Sequence, residues 1–158
     1  MIPSPGGKVF LSAQELLDLS FELGHKIAES GFRPSCLIGV WRGGAPVGIA
    51  VHEYLSLRGI HPVHFPVKTQ RYGPDGDTLP QTRIWGLSAW DDEIDKAESL
   101  LIVDDVWDKG VTICELVEKL KKGHEDLEVR TAVLLYKPGQ SVRKEKPDFY
   151  LLETNDWV

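Results

Sequence analysis

The feature that most constrains the fold is a short, wholly apolar run, residues 100–103, followed at once by two carboxylates, Asp104 and Asp105. A branched, apolar run of this length between polar residues is typical of a strand buried on both faces of a sheet. In open α/β sheets, ligands bind at the carboxyl ends of the strands. The two carboxylates are therefore predicted to lie at a ligand-binding edge.

A polar turn follows the acidic pair and leads into an amphipathic segment that begins at Ile113. The turn consists of Asp108, Lys109, Gly110, Val111 and Thr112. A glycine-containing turn that opens a helix offers backbone N–H groups and the positive end of the helix dipole to an anion. Carboxylates for hydroxyls or a metal thus lie beside a cradle for an anion, which is the combination that a sugar phosphate needs.

A second glycine-rich turn follows an earlier predicted strand, residues 36–40, and precedes a helix predicted from about Ala45 or Pro46 to Leu57. The turn consists of Trp41, Arg42, Gly43 and Gly44. Strand, glycine-rich turn and helix form another anion-binding arrangement. The chain contains neither a G-x-G-x-x-G fingerprint here nor a G-x-x-x-x-G-K-[ST] loop, which disfavours dinucleotide and P-loop functions.

Residues 99–112 resemble the phosphoribosyl-pyrophosphate (PRPP) binding motif of type I phosphoribosyltransferases: an apolar strand, two acidic residues, two apolar residues and a turn ending in Gly-x-Thr. An Asp opening the turn, here Asp108, is similar to members acting on 6-oxopurines. Residues 41–44 resemble the pyrophosphate loop of the purine enzymes, where a basic residue precedes Gly-Gly. The family holds this loop with a non-proline cis peptide, so the Trp41–Arg42 bond is predicted to be cis or able to switch to cis.

The resemblance implies a role for each group. Asp104 and Asp105 would hold the ribose hydroxyls, directly or through Mg²⁺, the implied cofactor, and residues 108–112 would bind the 5-phosphate. Pyrophosphate would be bound by Trp41, Arg42 and Gly43. Asp108 would also act as the general base that takes a proton from the purine.

A base pocket is implied by residues late in the chain. Lys137 follows a predicted strand, residues 129–136, and is therefore expected to point into the same rim as Asp105. By resemblance, Lys137 would contact O6 of the purine, Trp157 would stack on the base, and the backbone of Val158 would face its 2-position.

Two departures from the family pattern affect these expectations. Lys109 stands where the family usually has Thr, so one hydroxyl contact to phosphate is missing. The acidic residue that relatives carry beyond the stacking residue has no counterpart after Val158, so that contact either is absent or comes from another residue.

The predicted fold is a single α/β domain over residues 1–158: an open, mostly parallel twisted sheet with helices on both faces, plus a small hood formed by the N- and C-terminal segments. Residues 1–8 are expected to be a flexible arm. A capping box at Ser12 and Glu15 predicts a helix that runs to about Ser30.

Residues 69–80 are predicted to form a long polar loop between two strands, residues 63–68 and 83–87. By resemblance it would close over PRPP, with Arg71 and Tyr72 as a loose match to the family's polar-aromatic pair. A plain flexible insertion is the alternative.

Composition limits the remaining possibilities. The formal net charge of −6 disfavours non-specific nucleic-acid binding. Two cysteines, Cys36 and Cys114, lie without zinc or disulfide spacing, and no signal peptide or membrane span is evident, so a cytoplasmic location is expected. Trp85 and Trp90 suggest core or subunit contacts, and a homo-oligomer, dimer or tetramer, is expected.

The predicted activity is transfer of the 5-phosphoribosyl group from PRPP to N9 of hypoxanthine, guanine or xanthine, with release of pyrophosphate. The expected partners are PRPP and a purine base, not nucleic acid or a membrane. Two alternatives stay open: a phosphoribosyltransferase for another base, such as uracil or adenine, and a non-catalytic nucleotide sensor on the same fold.

Overall fold

The computed structural model describes residues 2–3, 9–73, 75 and 77–155. Its elements, in chain order, are β1 (Ile2–Pro3), β2 (Val9–Phe10), α1 (Ala13–Glu29), β3 (Cys36–Trp41), α2 (Gly44–Leu57), β4 (Val63–Tyr72), β5 (Thr78–Trp85), a 3-10 helix (Leu87–Trp90), α3 (Asp91–Asp95), β6 (Ser99–Trp107), α4 (Val111–Lys121), β7 (Glu128–Tyr136) and β8 (Phe149–Glu153).

The main sheet has six strands in the order β5-β4-β3-β6-β7-β8. All neighbours are parallel except β4 and β5, which form an antiparallel hairpin. β3 and β6 lie side by side at the centre, with Gly39 opposite Val103. Their carboxyl ends therefore meet at one edge, and the two predicted anion-binding turns follow at that edge.

Helices cover both faces of the sheet, as predicted. On one face, α1 and α2 pack on strand residues such as Leu37 and Leu101. On the other face, α3 and α4 pack on the alternate residues, including Ile38 and Ile102. Because successive strand residues point to opposite faces, the apolar runs of β3 and β6 supply both core layers. The predicted fold class, a mostly parallel α/β sheet between helices, is confirmed.

Helix α1 begins as its capping box predicts. The Glu15 N–H donates to Ser12 Oγ (3.2 Å), and the Ser12 N–H donates to Glu15 Oε2 (2.9 Å). Gly31 follows the helix with a left-handed φ of 82°, which suits the residue that ends a helix.

The β4–β5 hairpin corrects the predicted loop over residues 69–80. β4 continues to Tyr72 and β5 begins at Thr78, with Gln70 opposite Arg83. Cross-strand pairing overrides the polar composition of the segment, because strand formation depends on the neighbouring strand more than on intrinsic preference. The connection is therefore residues 73–77, and closure over a substrate stays a prediction.

The predicted tryptophan contacts divide between the core and the surface. Trp90 stacks on Phe65 with ring centroids 4.7 Å apart, whereas Trp85 is 41% exposed with the Lys68 ammonium 5.1 Å from its ring centre. Trp90 is therefore a core residue, and a subunit contact of Trp85 stays a prediction.

A short antiparallel strand pair lies near the N-terminus. Ile2 and Pro3 pair antiparallel with Phe10 and Val9. Most of the predicted arm, residues 1–8, and the last three residues of the predicted hood, 156–158, lie outside the described residues. In the part of the chain that the structure describes, no helix has the length and apolar character required to cross a membrane.

Candidate active site

The acidic pair lies in the last part of β6, which continues to Trp107 rather than ending at residue 103. Asp104 Oδ1 accepts the Asp105 N–H, and Asp105 Oδ1 accepts the Val106 N–H, each at 2.9 Å. Burial and the adjacent Asp105 carboxylate raise the pKa of Asp104 well above its usual range. The pair therefore concentrates negative charge where a cation or a hydroxyl donor stabilises it.

The turn over residues 108–112 depends on Gly110. This residue has a left-handed φ of 75° and immediately precedes α4. A Cβ at Gly110 would overlap the Trp107 indole, which is buried and donates through Nε1 to Ser141 Oγ (3.4 Å). The buried indole thus fixes the turn, and the first N–H groups of α4, which lack intrahelical partners, lie at the cleft that Val111 and Thr112 line. Helix N-termini of this kind can bind anions.

The glycine-rich turn after β3 packs directly on the acidic pair. The Trp41–Arg42 peptide bond is cis, which confirms the prediction. A Cβ added to Gly43 would overlap the Asp105 carboxylate, and one added to Gly44 would lie 2.7 Å from Asp104 Cα. Only glycine permits this approach, so the two turns share a common wall.

A single cleft of about 1070 Å³ joins the three groups at the carboxyl edge of the sheet. The predicted residues that line it are Trp41, Arg42, Gly43, Asp104, Asp105, Asp108, Lys109, Gly110, Val111 and Thr112. The cleft places carboxylates, a helix N-terminus and a guanidinium around one space. Their individual roles stay predictions.

Lys137 lies behind the turn over residues 108–112, the predicted phosphate turn, and is not among the residues that line the cleft. Its side chain is nearly buried, and its Nζ is 3.9 Å from Asp108 Oδ1. Its backbone N–H donates to the Trp107 carbonyl (2.9 Å). The structure therefore brings Lys137 to the same end of the sheet as Asp108. Trp157 and Val158 lie outside the described residues.

Several cleft residues escaped the sequence analysis. Lys68, Gln70 and Val142 also line the cleft. Lys68 lies opposite Trp41 in the parallel pairing of β4 with β3. A lysine at the end of a strand neighbouring the glycine-rich turn was a signal that could have identified it.

Glu115 makes contacts that its position in the sequence does not indicate. Its helical spacing is that of the polar side of α4, yet it accepts the Thr82 N–H (2.6 Å) and pairs with Arg71 (3.3 Å). The hairpin covers this side of the helix, a tertiary contact that helical periodicity does not reveal.

The donor set suits a hard cation rather than a transition metal. Among the described residues, no group of three or more His, Cys, Asp or Glu side chains forms a metal cluster. The adjacent carboxylates of Asp104 and Asp105 in the cleft are oxygen donors of the kind that bind Mg²⁺ together with phosphate oxygens and water.

The sheet and cleft define an α/β protein whose polar cleft lies at the carboxyl ends of parallel strands, the edge at which open sheets of this kind bind ligands. The family model of the phosphoribosyl transferase domain matches residues 10–158. The chain therefore belongs to the phosphoribosyltransferase family. No curated protein sequence matches the chain at a significant level.

Solved structures share this fold. A hypothetical protein from Neisseria gonorrhoeae with bound ppGpp has a TM-score of 0.78 at 21% identity, covering 98% of this chain and 87% of that one. A purine phosphoribosyltransferase from Pyrococcus horikoshii Ot3 has a TM-score of 0.69 at 24% identity, covering 96% and 90%. The Helicobacter pylori xanthine-guanine-hypoxanthine phosphoribosyltransferase has a TM-score of 0.68 at 22% identity, covering 92% and 87%.

Proposed function

We propose that the protein transfers the 5-phosphoribosyl group of PRPP to N9 of a 6-oxopurine base, hypoxanthine, guanine or xanthine, and releases pyrophosphate. The observation that carries this proposal is the cleft in which Asp104, Asp105, Arg42 and the turn over residues 108–112 meet. The carboxylates suit the ribose hydroxyls, the turn over residues 108–112 suits the 5-phosphate, and Arg42 suits the leaving pyrophosphate. The names of the Pyrococcus and Helicobacter enzymes support a purine substrate.

The acidic pair binds the ribose. Two adjacent carboxylates accept hydrogen bonds from two neighbouring hydroxyls, and the bonds are charge-assisted. The backbone N–H donors to Asp104 and Asp105 hold each carboxylate in place. The ribose ring is thereby oriented with its anomeric carbon between the two glycine turns.

Leaving-group charge is stabilised by Arg42 and its turn. Negative charge on pyrophosphate grows as the bond to the anomeric carbon breaks, so a guanidinium and the N-terminus of α2 stabilise that state more than the ground state. Because Gly43 and Gly44 pack on the acidic pair, the donors and the ribose are held in a fixed relation.

Base recognition and proton transfer involve Asp108 and Lys137. Asp108 takes the proton that the purine loses as N9 forms its bond to the ribose. The Lys137 ammonium lies 3.9 Å from the Asp108 carboxylate, behind the turn, and would extend past the turn into the cleft to donate to the O6 carbonyl. Adenine presents a donor at its 6-position, so this lysine favours a 6-oxopurine.

The cleft also suits Mg²⁺. Burial and the adjacent Asp105 raise the pKa of Asp104, so a cation bound between the two carboxylates would favour their ionised forms. Mg²⁺ binds through one or two carboxylates together with substrate phosphates. We propose that Asp104 and Asp105 hold the ion with PRPP. When bound, it supplies positive charge to the phosphate oxygens.

The test is an assay of pyrophosphate release from PRPP and Mg²⁺ with a panel of free bases. Turnover with hypoxanthine, guanine or xanthine, but not with adenine or uracil, is the expected result. Turnover confined to adenine or uracil would contradict the 6-oxopurine assignment through Lys137.

A nucleotide-binding regulator without catalysis is the second candidate. It is favoured by the Neisseria gonorrhoeae protein, whose structure contains ppGpp and whose fold is similar to this chain. Tight binding of ppGpp together with no pyrophosphate release from any base would favour the regulator over the enzyme.

A further inference from the structure

Glu115 joins the β4–β5 hairpin to the helix that carries the phosphate turn. One carboxylate oxygen accepts the Thr82 N–H from β5 at 2.6 Å, and the other lies 3.3 Å from Arg71 NH1 on β4. The side chains of Arg71 and Glu115 are only 20% and 23% exposed. A single side chain therefore contacts both strands of the hairpin from the second turn of α4.

The Thr82 donor is available because the hairpin contains an irregularity. Gln70 pairs with Arg83 and Tyr72 with Thr78, so four residues of β5 face one residue of β4. Pro80 lies in this bulge and has no N–H to give to a ladder. A bulge leaves residues outside the regular pairing, and Glu115 takes up the Thr82 N–H.

Arg71 projects towards the cleft from the same side of the hairpin. Along β4, Lys68 and Gln70 alternate with Thr69 and Arg71, so Arg71 belongs to the face that looks towards α4. Arg71 lines the cleft together with Thr112 of the phosphate turn. A guanidinium carries five N–H donors, so contact with Glu115 leaves it able to bind a second anion.

Electrostatics agree with a charged Glu115. Burial raises the pKa of this carboxyl, but the Thr82 donor and the charges of Arg71 and Arg143 outweigh that effect and leave the pKa below its ordinary value. The carboxylate is thus ionised at neutral pH and holds its two partners through charge-assisted contacts.

We propose that Glu115 is a positioning residue: it docks the hairpin onto α4 and aims the Arg71 guanidinium at a phosphate group of PRPP. The substrate named in this statement rests on the proposed function. Glu115 acts through Arg71, and Arg71 makes the contact to the phosphate.

Two substitutions separate the tasks of the carboxylate. Glu115→Gln keeps an oxygen acceptor for Thr82 but removes the charge that holds Arg71. Glu115→Ala removes both. Glu29→Gln is the matched control, because Glu29 pairs with Arg58 at 2.7 Å between the C-terminal ends of α1 and α2, away from the cleft.

Steady-state kinetics test whether Glu115 orients Arg71 for PRPP binding. Removal of a charge-assisted contact predicts that the KM for PRPP rises about 5- to 20-fold in Glu115→Ala and in Arg71→Gln, with the KM for the base unchanged. The double variant should be no worse than Arg71→Gln alone, because Glu115 acts through the arginine. A KM for PRPP within twofold of wild type in Glu115→Ala, or fully multiplicative effects, would overturn the proposal.

Amide hydrogen exchange of the ligand-free protein tests the docking without any substrate. Exchange at Thr82 should accelerate about tenfold or more in Glu115→Ala, in line with loss of one charge-assisted hydrogen bond. It should accelerate less in Glu115→Gln, which keeps a neutral acceptor, and stay unchanged in Glu29→Gln. Unchanged exchange in Glu115→Ala overturns the docking. If exchange at Thr82 is faster in Glu115→Ala but the wild-type protein neither binds nor turns over PRPP, the proposed function and the orientation of Arg71 towards PRPP are refuted. The docking of the hairpin by Glu115 is then still supported.

Discussion

Replacement of Gly43 by alanine tests whether the shared wall between the two glycine turns is required. Gly43 has φ −61° and ψ −38°, a conformation that alanine adopts without strain. Its added Cβ, however, would overlap the oxygen and carbon atoms of the Asp105 carboxylate. The substitution therefore acts through one contact, and the carboxylate must move.

The size of the effect follows from what Asp105 loses. Rotation away from its preferred side-chain conformation costs about 0.5–1.5 kcal/mol. Loss of the hydrogen bond from the Val106 N–H costs about 1–1.5 kcal/mol. Together these give about 1.5–3 kcal/mol, which corresponds to a decrease of about 10- to 150-fold in kcat/KM for PRPP if the displaced carboxylate binds the ribose.

The assay compares Gly43→Ala with Gly123→Ala. Gly123 also lacks a left-handed φ, and a Cβ there meets nothing within 4 Å. Both variants should fold, as judged by thermal melting, and only Gly43→Ala should lose kcat/KM for PRPP. If the two variants differed by less than threefold, a role for the Asp105 position in PRPP binding would be refuted.

Three further predictions concern Asp108, Gly110 and the half-buried His64. Asp108→Asn should lower kcat about 100-fold or more, the usual range for a general base, with PRPP binding retained; unchanged kcat in the base panel would exclude that role. Gly110→Ala and Gly59→Ala each place alanine at a left-handed φ, which costs about 1–2 kcal/mol, but only the Cβ of Gly110→Ala would overlap Trp107. The free energy of unfolding measured in urea should therefore decrease more in Gly110→Ala than in Gly59→Ala. Equal decreases would contradict the contact with Trp107. Burial, with a smaller contribution from a neighbouring histidine, lowers the pKa of His64 to about 4, so the unfolded chain binds the proton more readily; stability present above pH 6.5 should fall as the pH drops towards 4, by at most about 2 kcal/mol after allowance for solvent. His64→Gln should flatten that dependence in urea titrations, and an unaltered slope would rule it out.

Local signals predicted much of the fold. The capping box at Ser12 predicted the start of α1, and the apolar runs predicted the central strands. Both glycine turns lie at the same edge of the sheet, because β3 and β6 are parallel neighbours whose following turns must meet. The cleft therefore follows from short patterns in the sequence together with one rule of sheet topology.

The contacts that escaped prediction are those made between elements distant in sequence. Residues 69–72 and 78–80 have the composition of a loop, and only their pairing makes them strands. Glu115 has the helical spacing of a surface residue, and only the docked hairpin buries it. No periodicity within either segment encodes these contacts, because each depends on a partner supplied from elsewhere in the chain.

The Lys137–Asp108 pair places opposite charges side by side at the turn that opens α4. The lysine is nearly removed from solvent and its Nζ lies 3.9 Å from the Asp108 carboxylate, so the pair has a dipole but little net charge. Under the proposed function, long-range attraction of a polyanionic substrate would therefore come from Arg42 and the helix N-termini, and the pair would act on the uncharged base only at short range.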